Sequence, residues 1–229
     1  MKRIVVLTGA GISAESGLQT FRGSQGLWEG HRVMEVASPE GFARNPDLVL
    51  RFYNERRRQL KTAVPNDGHL SLVELESSFQ VDIITQNVDD LHERAGSSRI
   101  LHLHGELTKC RGVGEDSRIM PIDGDIRLGD LAPDGTQLRP HIVWFGEDVP
   151  LIPRAAQMMT QADFVLIIGT SLVVYPAAGL IEYAPDHSPV FVIDPSRPEI
   201  PVDRKNITFI EEPASSGVRK IVRYLLEVT

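Results

Sequence analysis

Short runs of apolar, mostly β-branched residues recur along the chain and predict strands that are buried on both faces. Four regular runs span residues 4–7, 81–84, 164–168 and 190–193, and two less regular ones span residues 100–103 and 142–145. Apart from Asp82, the regular runs are entirely apolar, as expected for a parallel sheet covered by helices. The stretch between the first two runs is predicted to be mostly helical, with Pro46 in the first turn of a helix over residues 47–60.

Small or polar residues follow each of the four regular runs at once. They occupy positions 8–11, 85–89, 169–171 and 194–195. In open α/β sheets, ligands bind outside the carboxyl ends of the strands. The pattern therefore predicts an α/β fold with a ligand crevice at that edge of the sheet.

The first of these segments, residues 9–14, reads Gly-Ala-Gly-Ile-Ser-Ala and fits the G-x-G-x-x-G/A pattern directly after a strand. Glycine suits a backbone that turns tightly against a pyrophosphate, and a helix start capped by Ser13 or Ser16 would add N–H donors. A tight turn without a ligand is the alternative. No acidic residue ends a second strand about 20 residues later, so a hydride-transfer dehydrogenase is disfavoured.

Composition narrows the possible partners. The chain has 229 residues and a net charge of -7, which allows one large domain with an inserted subdomain and disfavours nucleic acid as a partner. No apolar run reaches the ~20 residues of a membrane span, and the start of the chain does not resemble a signal peptide. We therefore expect a cytoplasmic protein without a membrane partner, and a monomer, because nothing indicates a coiled coil.

Five motifs occur in the order in which one enzyme family carries them. They are Gly9-Ala10-Gly11-Ile12-Ser13 with Thr20-Phe21-Arg22-Gly23, then Thr85-Gln86-Asn87-Val88-Asp89, His102-Leu103-His104-Gly105, Trp144-Phe145-Gly146-Glu147 and Gly169-Thr170-Ser171. In these motifs the chain resembles the sirtuins, the NAD-dependent protein lysine deacylases. The resemblance covers nearly the whole sequence.

The resemblance implies an α/β fold in which a Rossmann-like parallel sheet has helices on both faces and a small domain arises from two insertions. The expected NAD-binding domain comprises residues 1–26, 70–107 and 139–229. The small domain would combine a helical insertion, residues 27–69, with a β-rich insertion, residues 108–138. Two Asp-Gly pairs in the latter, Asp123-Gly124 and Asp134-Gly135, independently predict hairpins.

The chemistry that the resemblance implies consumes NAD as a co-substrate, and an acylated lysine of a protein is the partner. The acyl oxygen attacks the nicotinamide ribose, nicotinamide leaves, and free lysine and O-acyl-ADP-ribose are released. His104 is then the general base, and Asn87 orders the ribose and a water molecule. Mono-ADP-ribosyl transfer at the same NAD site is the alternative activity, and a non-catalytic NAD or ADP-ribose sensor is a further one.

The resemblance also implies the NAD contacts. Asp89 would hold the nicotinamide carboxamide, Phe21 and Arg22 would belong to a lid, and Asp194 stands where sirtuins often carry Asn. The expected cofactor-binding residues are Gly9, Ala10, Gly11, Ile12, Glu15, Thr20, Phe21, Arg22, Trp28, Gln86, Asn87, Val88, Asp89, Gly169, Thr170, Ser171, Asp194 and Ala214. For Asp89, a helix cap is an alternative that can hold at the same time.

The acyl group is expected to lie against Tyr53 and Arg56, which are three residues apart and so share one helix face. The pair is similar to that of the desuccinylase and demalonylase branch of sirtuins, and Ala37 matches the small residue of that branch. A solvated basic helix face is the alternative. Residues 144–147 are expected to form an extended edge that pairs with the substrate backbone. Together the expected substrate-binding residues are Tyr53, Arg56, Ala37, Val143, Phe145, Gly146 and Glu147.

Most sirtuins carry two Cys-x-x-Cys pairs for a structural zinc, whereas this chain has Cys110 alone. We therefore expect no metal. His102, Glu106 and Cys110 are close in sequence but match no metal-binding signature. The insert would then depend on hairpin pairing and on four apolar residues: Ile119, Ile122, Ile126 and Leu128.

Overall fold

A computed structural model describes residues 1–19, 27–28, 30–114, 117–200 and 202–227. The strands are β1 (Arg3–Thr8), β2 (Leu27–Trp28), β3 (His31–Arg32), β4 (Gln80–Thr85), β5 (Ile100–His102), β6 (Gly105–Gly112), β7 (Met120–Pro121), β8 (Leu138–Ile142), β9 (Phe164–Ile168), β10 (Val190–Ile193) and β11 (Ile207–Ile210). The helices are α1 (Val33–Val36), α2 (Pro39–Arg44), α3 (Pro46–Thr62), α4 (Asp67–Leu75), α5 (Leu91–Ala95), α6 (Ile152–Met159) and α7 (Ala214–Glu227), with 3₁₀ helices at Ala10–Ser16 and Ala177–Tyr183.

Six parallel strands form the main sheet in the order β11-β10-β9-β1-β4-β5. From β1 the chain proceeds to β4 on one side and later to β9 on the other, so the order reverses beside β1. Such a reversal opens a crevice at the carboxyl ends of the strands. The predicted fold class and all four regular strands are confirmed.

Both faces of the sheet are covered because, apart from Asp82, the inner parts of its four central strands carry apolar side chains on both faces. On β1, Ile4 and Val6 pack with α4 and α7, whereas Val5 and Leu7 pack with α6 and the 3₁₀ helix Ala177–Tyr183. Side chains of a strand alternate between faces, so each strand contributes to two cores. None of the helices within the described residues combines the length and apolarity that crossing a bilayer requires.

A separate three-stranded antiparallel sheet, in the order β7-β6-β8, lies beside the helices α1–α3. Its strands β6 and β8 extend past the predicted limits of the β-rich insertion, residues 108–138, at both ends. The buried thiol of Cys110 faces Leu50 and Ile126. The domain division given above stays a prediction.

Four local expectations were wrong. The helix after Gly9 is a 3₁₀ helix that begins at Ala10 without a side-chain cap from Ser13 or Ser16. The Asp123-Gly124 pair forms a bend and not a hairpin. The second pair, at Asp134, does lie in a turn, which connects two short segments that form an antiparallel β-bridge between Leu131 and Gln137.

The other two concern apolar residues and the substrate edge. Ile119 and Leu128 are solvent-exposed, so of the four apolar residues only Ile126 is buried and Ile122 partly buried. Residues 144–147 close a turn in which the N–H of Glu147 donates to the carbonyl of Trp144, because Gly146 adopts a φ of 93°. The extended segment ends before this turn, at Val143, whose N–H donates to the carbonyl of His104.

A compact hydrogen-bonded cluster of Gly112, Ser117, Asp134 and Thr136, which we call the knot, connects the two ends of the β-rich insertion. The N–H of Gly112 donates to Ser117 Oγ at 2.7 Å, and Thr136 Oγ1 donates to Asp134 Oδ1 at 2.7 Å. A Cβ at Gly112 would lie only 2.2 Å from Thr136 Oγ1, so the knot closes around a glycine. Hydrogen bonds from Ser117 and Thr136 lower the pKa of Asp134.

The knot predicts a pH-dependent stability. A lowered folded pKa means that the contribution of Asp134 is fully present above its unfolded pKa and is lost as the pH falls through the folded pKa. We expect Asp134→Asn to lower the melting temperature at neutral pH and the difference from wild type to shrink under acid conditions. Thermal unfolding followed by circular dichroism between pH 3 and 8 measures both. Asp186→Asn, an exposed aspartate outside the knot, is the matched control, and equal behaviour of the two variants would contradict the prediction.

Candidate active site

The loops after β1 and β9 approach each other as closely as backbones can. The N–H of Gly9 donates to the carbonyl of Ile168 at 3.0 Å, and that of Gly11 donates to the carbonyl of Gly169 at 2.8 Å. A Cβ on Gly11 would lie 2.5 Å from Gly169 Cα, and Gly169 itself has a φ of 60°. We call the site formed by Gly9, Gly11 and Gly169 the glycine crevice; only residues without a side chain fit there.

Ser13 connects the 3₁₀ helix to the strand end of β4. Its hydroxyl donates to Asp89 Oδ2 at 2.9 Å and accepts from Asn87 Nδ2 at 3.2 Å. The 3₁₀ helix turns this buried side chain inward, towards β4, and not towards the helix start. As a result, Asn87 and Asp89, both expected at the site, are held by one hydroxyl.

His69 extends this network from α4. Its Nε2 lies 3.5 Å from Ser13 Oγ, and its Nδ1 accepts from the N–H of Asn66 at 3.3 Å. Because Nδ1 accepts a hydrogen bond, the proton is on Nε2 and points at Ser13. Burial lowers the pKa of His69 to about 4, so the ring is neutral at physiological pH.

The sequence reasoning missed both Ser13 and His69 as members of the site. A signal existed for His69, because Asn66 and His69 form a reciprocal capping box at the start of α4. The box predicts the helix start, but not that the other ring nitrogen faces a residue 56 positions away.

Asp89 is buried, and burial raises its pKa, while hydrogen bonds from the N–H of Leu91 and from Ser13 act in the opposite direction. The N–H of Leu91, the first residue of α5, donates to Asp89 Oδ1 at 3.2 Å, but the N-cap of α5 is Asp90, and its side chain makes no cap hydrogen bond, so the helix-cap alternative is wrong. Asp89 is therefore a carboxyl group held out of water with both oxygens oriented.

His104 stands at the other wall of the site. Its Nδ1 lies 3.1 Å from the carbonyl oxygen of Gln86, which can only accept, so the proton is on Nδ1 and Nε2 is the basic nitrogen. Burial lowers the pKa of His104, and the Gln86 hydrogen bond partly offsets this effect. A neutral imidazole with an oriented basic nitrogen is the state that a general base requires.

His102 differs from His104 in its partners. Its Nε2 lies 2.7 Å from Glu93 Oε1 and its Nδ1 lies 3.2 Å from the carbonyl of Asn87. Burial acts to lower the pKa of His102, but the hydrogen bond and charge of Glu93 raise it overall. The imidazolium donates from both nitrogens and so fixes the backbone at Asn87.

His102, Glu106 and Cys110, which are close in sequence, do not form a metal site, because Cys110 faces the core of the small domain. Glu93, His102 and Glu106 place ligand atoms within 4.8 Å of one another, but Glu93 pairs with His102 and Glu106 with Lys109. Ion pairs therefore account for this cluster.

Tyr53 of α3 is fully buried, and its oxygen accepts from Trp144 Nε1 at 3.0 Å. Ala37 lies in the same apolar cluster, and its carbonyl accepts from the N–H of Phe145. Burial raises the pKa of Tyr53, so its hydroxyl keeps its proton. Among the described residues no acceptor for that proton is present.

Arg56 is also buried, with 8% of its surface exposed. Its guanidinium lies over the ring of Phe52, 4.6 Å from the centroid, while Nε donates to Gln59 and Nη2 lies 3.3 Å from Glu55. Glu55 is exposed, so water screens this ion pair. The alternative of a solvated face applies to Arg58 but not to Arg56.

Glu147 has a structural partner. Arg139 of β8 donates to both of its carboxylate oxygens, and the N–H of Trp144 donates to Oε2 at 2.7 Å. The guanidinium of Arg139 also lies on the Trp144 ring, 3.3 Å from its centroid. Arg139 thus holds both ends of the turn at residues 144–147.

The remaining expected residues are distributed around the crevice. Thr170 accepts from Gln86 Nε2 at 3.0 Å, and Ser171 beside it is exposed. Asp194 accepts from the N–H of Ser196, and burial raises its pKa.

Two more expected residues border the helices. Glu15 accepts from the N–H and hydroxyl of Ser215 at the start of α7, next to the buried Ala214. Trp28 packs edge-on against Phe52 and Tyr53 in the small domain. Thr20, Phe21 and Arg22, expected to contact NAD, lie outside the described residues.

Comparison with known proteins decides the family. The model of the "Sir2 family" matches residues 9–176. The chain belongs to the Sir2 family. It is 53% identical over 228 residues to an "NAD-dependent protein deacylase" of Helicobacter pylori, covering 100% of this chain and 99% of that protein. It is 52% identical to a protein of the same name from Bacteroides thetaiotaomicron, covering 99% of each.

A solved complex of a Sir2 homologue with NAD superposes with a TM-score of 0.87 at 36% identity, covering 99% of this chain and 90% of the other. The agreement extends over both the parallel sheet and the small domain of this Sir2 family member.

A structural zinc of the kind that the resemblance implies does not fit the residues present. The single cysteine cannot supply a tetrathiolate, and it points into the apolar cluster around Leu50. The knot of Gly112, Ser117, Asp134 and Thr136 joins the insertion ends instead. The absence of zinc stays a prediction.

Substitution of Gly11 tests the glycine crevice. A methyl group there must displace backbone atoms of Gly169, and overpacking of this kind costs about 1–3 kcal/mol, or roughly 2–10 °C in melting temperature for a chain of this size. We expect Gly11→Ala to lower the melting temperature by this amount and to weaken ADP-ribose binding at least about tenfold. Calorimetry measures both quantities.

Gly124→Ala is the matched control, since a Cβ there has open space around it. Unchanged ADP-ribose affinity in Gly11→Ala, with the control also unchanged, would count against a nucleotide at the crevice.

Proposed function

We propose that this Sir2 family chain is an NAD-dependent protein lysine deacylase that acts best on acyl groups ending in a carboxylate. The observation that carries the activity is the convergence of His104, Asn87 and Asp89 beside the glycine crevice. The deacylase names of the relatives that match nearly the whole chain support the same activity. No observation favours the mono-ADP-ribosyltransferase alternative.

Binding of NAD begins at the glycine crevice. Because Gly9 and Gly11 carry no side chains, the pyrophosphate can approach the backbone there. Thr170 and Ser171 at the end of β9 supply hydroxyls for the phosphates and a ribose, and Asp194 at the end of β10 accepts from a ribose hydroxyl. When bound, NAD supplies the activated ribose carbon to which the acyl oxygen is transferred.

Ser13 and His69 position the two residues that face the nicotinamide end. Asp89 accepts from the carboxamide NH₂, and Asn87 holds the ribose hydroxyl and a water molecule. The neutral His69 keeps the Ser13 hydroxyl directed at Asp89, because its Nε2–H donates to Ser13 Oγ. Because the members of this buried network satisfy each other's hydrogen bonds, the network is rigid, whereas a member left without a partner would lower the stability of the fold.

His104 removes the proton from a ribose hydroxyl through Nε2. The Gln86 carbonyl holds the opposite nitrogen as a donor, which selects the required tautomer. Leu103, which lies between His102 and His104 in the sequence, is buried and keeps the strand end in place. His102, paired with Glu93, also bonds to the carbonyl of Asn87 and so fixes the backbone there.

The acyl preference rests on Tyr53 and Arg56. The Tyr53 hydroxyl accepts from Trp144 and retains a proton without an acceptor in the described part of the chain, so a terminal carboxylate would complete it. Arg56 offers charge and N–H groups next to Phe52, and in the described part of the chain its anionic partner is the water-screened Glu55. Succinyl-lysine and malonyl-lysine have this acceptor, whereas acetyl-lysine does not.

The lowered pKa of His104 predicts the pH at which the base is lost. The neutral form persists below the ordinary histidine value of about 6.5, so the acidic limb of kcat/KM should lie below that value. Imidazole NMR resonances titrated with pH, assigned through His104→Asn, measure the pKa directly. A pKa above the ordinary value would contradict the arrangement, and we expect His104→Asn to retain ADP-ribose binding while losing deacylation.

Arg56→Met tests the acyl preference. Losing a buried bidentate partner should lower kcat/KM for succinyl peptides by about 10²-fold or more and leave acetyl peptides nearly unaffected. Initial rates of O-acyl-ADP-ribose formation, read by mass spectrometry, provide the comparison. Arg58→Met on the same helix, whose side chain pairs with Asp125 in solvent, is the control. Equal losses for both acyl groups would refute the assignment.

A further inference from the structure

A second cleft lies at the opposite end of the parallel sheet from the glycine crevice. It has a volume of about 490 Å³ and is bounded by the amino-terminal ends of β1, β4 and β5 and by α6. Three arginines line it: Arg3 of β1, Arg99 directly before β5, and Arg154 of α6. We call it the arginine cleft.

One buried carboxylate organises two of these arginines. Asp82, 2% exposed, is ion-paired with Nε of both Arg3 and Arg99, and it also accepts from Gln80 Nε2 at 2.8 Å. Asp82, the one polar residue in this apolar run, therefore orients two guanidinium groups at the start of β4.

The positive charge of the cleft is not balanced. Asp82 offsets one of the three lining arginines, and Arg154 has no ion pair or hydrogen bond with any described residue. The side chains that line the cleft thus carry about two net positive charges in a chain whose net charge is -7, while two neighbouring carboxylates, Asp163 and Glu76, accept from the N–H groups of Arg3 and Ser98. Concave sites with one sign of charge focus the field and attract counter-ions.

We propose that the arginine cleft binds a small multivalent anion whose charged groups are phosphates. Asp82 uses the Nε side of Arg99, which leaves both Nη groups of that side chain as donors, and Arg154 adds its full set. Forked guanidinium donors match phosphate oxygens bidentately. The volume lies within the range of small-ligand sites, and the cleft is independent of the proposed deacylase site.

Titration calorimetry with tripolyphosphate tests the proposal on the full chain saturated with ADP-ribose and at low salt. We expect one tripolyphosphate per chain, and at least about tenfold weaker binding in Arg154→Gln. Arg223→Gln on α7 is the matched control, because it removes the same charge from an exposed helix arginine elsewhere and should change the affinity less than about twofold.

Three results would overturn the proposal. They are no tripolyphosphate binding to the ADP-ribose-loaded wild type, equal weakening in Arg154→Gln and Arg223→Gln, or binding of citrate in preference to tripolyphosphate, which would indicate a carboxylate ligand. The melting temperatures of Arg154→Gln and Arg223→Gln, which we expect to equal that of the wild type, show that the difference in affinity does not come from unfolding. Arg99→Gln is a second variant of the cleft and should lose tripolyphosphate affinity to the same extent.

Discussion

The close approach of two backbones at Gly11 and Gly169 is the constraint on which the rest of the site depends. Neither loop could carry a side chain at these positions, since a Cβ would lie within 2.5 Å of backbone atoms of the other loop. This contact fixes where β1 and β9 end relative to each other. It also starts the 3₁₀ helix at Ala10, and that helix directs Ser13 towards β4.

From Ser13 outward, the site consists of polar groups whose protonation states are set by burial. His69 and His104 have lowered pKa values and are neutral, whereas the ion pair with Glu93 raises the pKa of His102. His69, His104 and His102 thus occupy different states because their ring nitrogens have different partners: a backbone N–H, a carbonyl and a carboxylate, respectively. Residue type alone does not determine the role of a histidine here.

Much of the fold follows from the sequence because its signals are local. Apolar runs, broken only by Asp82 in β4, identify the four inner strands, and Pro46 marks the start of α3. The turn at residues 144–147 could not be foreseen, since it depends on Arg139 holding Glu147 and on a positive φ at Gly146.

The site was only partly foreseeable for a related reason. Asn87, Asp89 and His104 follow strands, so a strand-end rule locates them. Ser13 and His69 join the site through hydrogen bonds that span 56 to 76 residues, and no local pattern records such contacts. The exposed positions of Ile119 and Leu128 likewise reflect the shape of the insertion and not their hydrophobicity.

The packing around Tyr53 gives the molecule its own optical probe. The chain has two tryptophans, and both have ring contacts with this tyrosine: Trp28 edge-on at 6.1 Å and Trp144 tilted at 6.4 Å between ring centroids. The indole N–H of Trp144 is hydrogen-bonded to the Tyr53 oxygen, and a guanidinium rests on its π face. Any charge that enters beside Tyr53 alters the electric field across that indole. Intrinsic fluorescence of the unlabelled protein therefore reports on changes in the immediate surroundings of Tyr53.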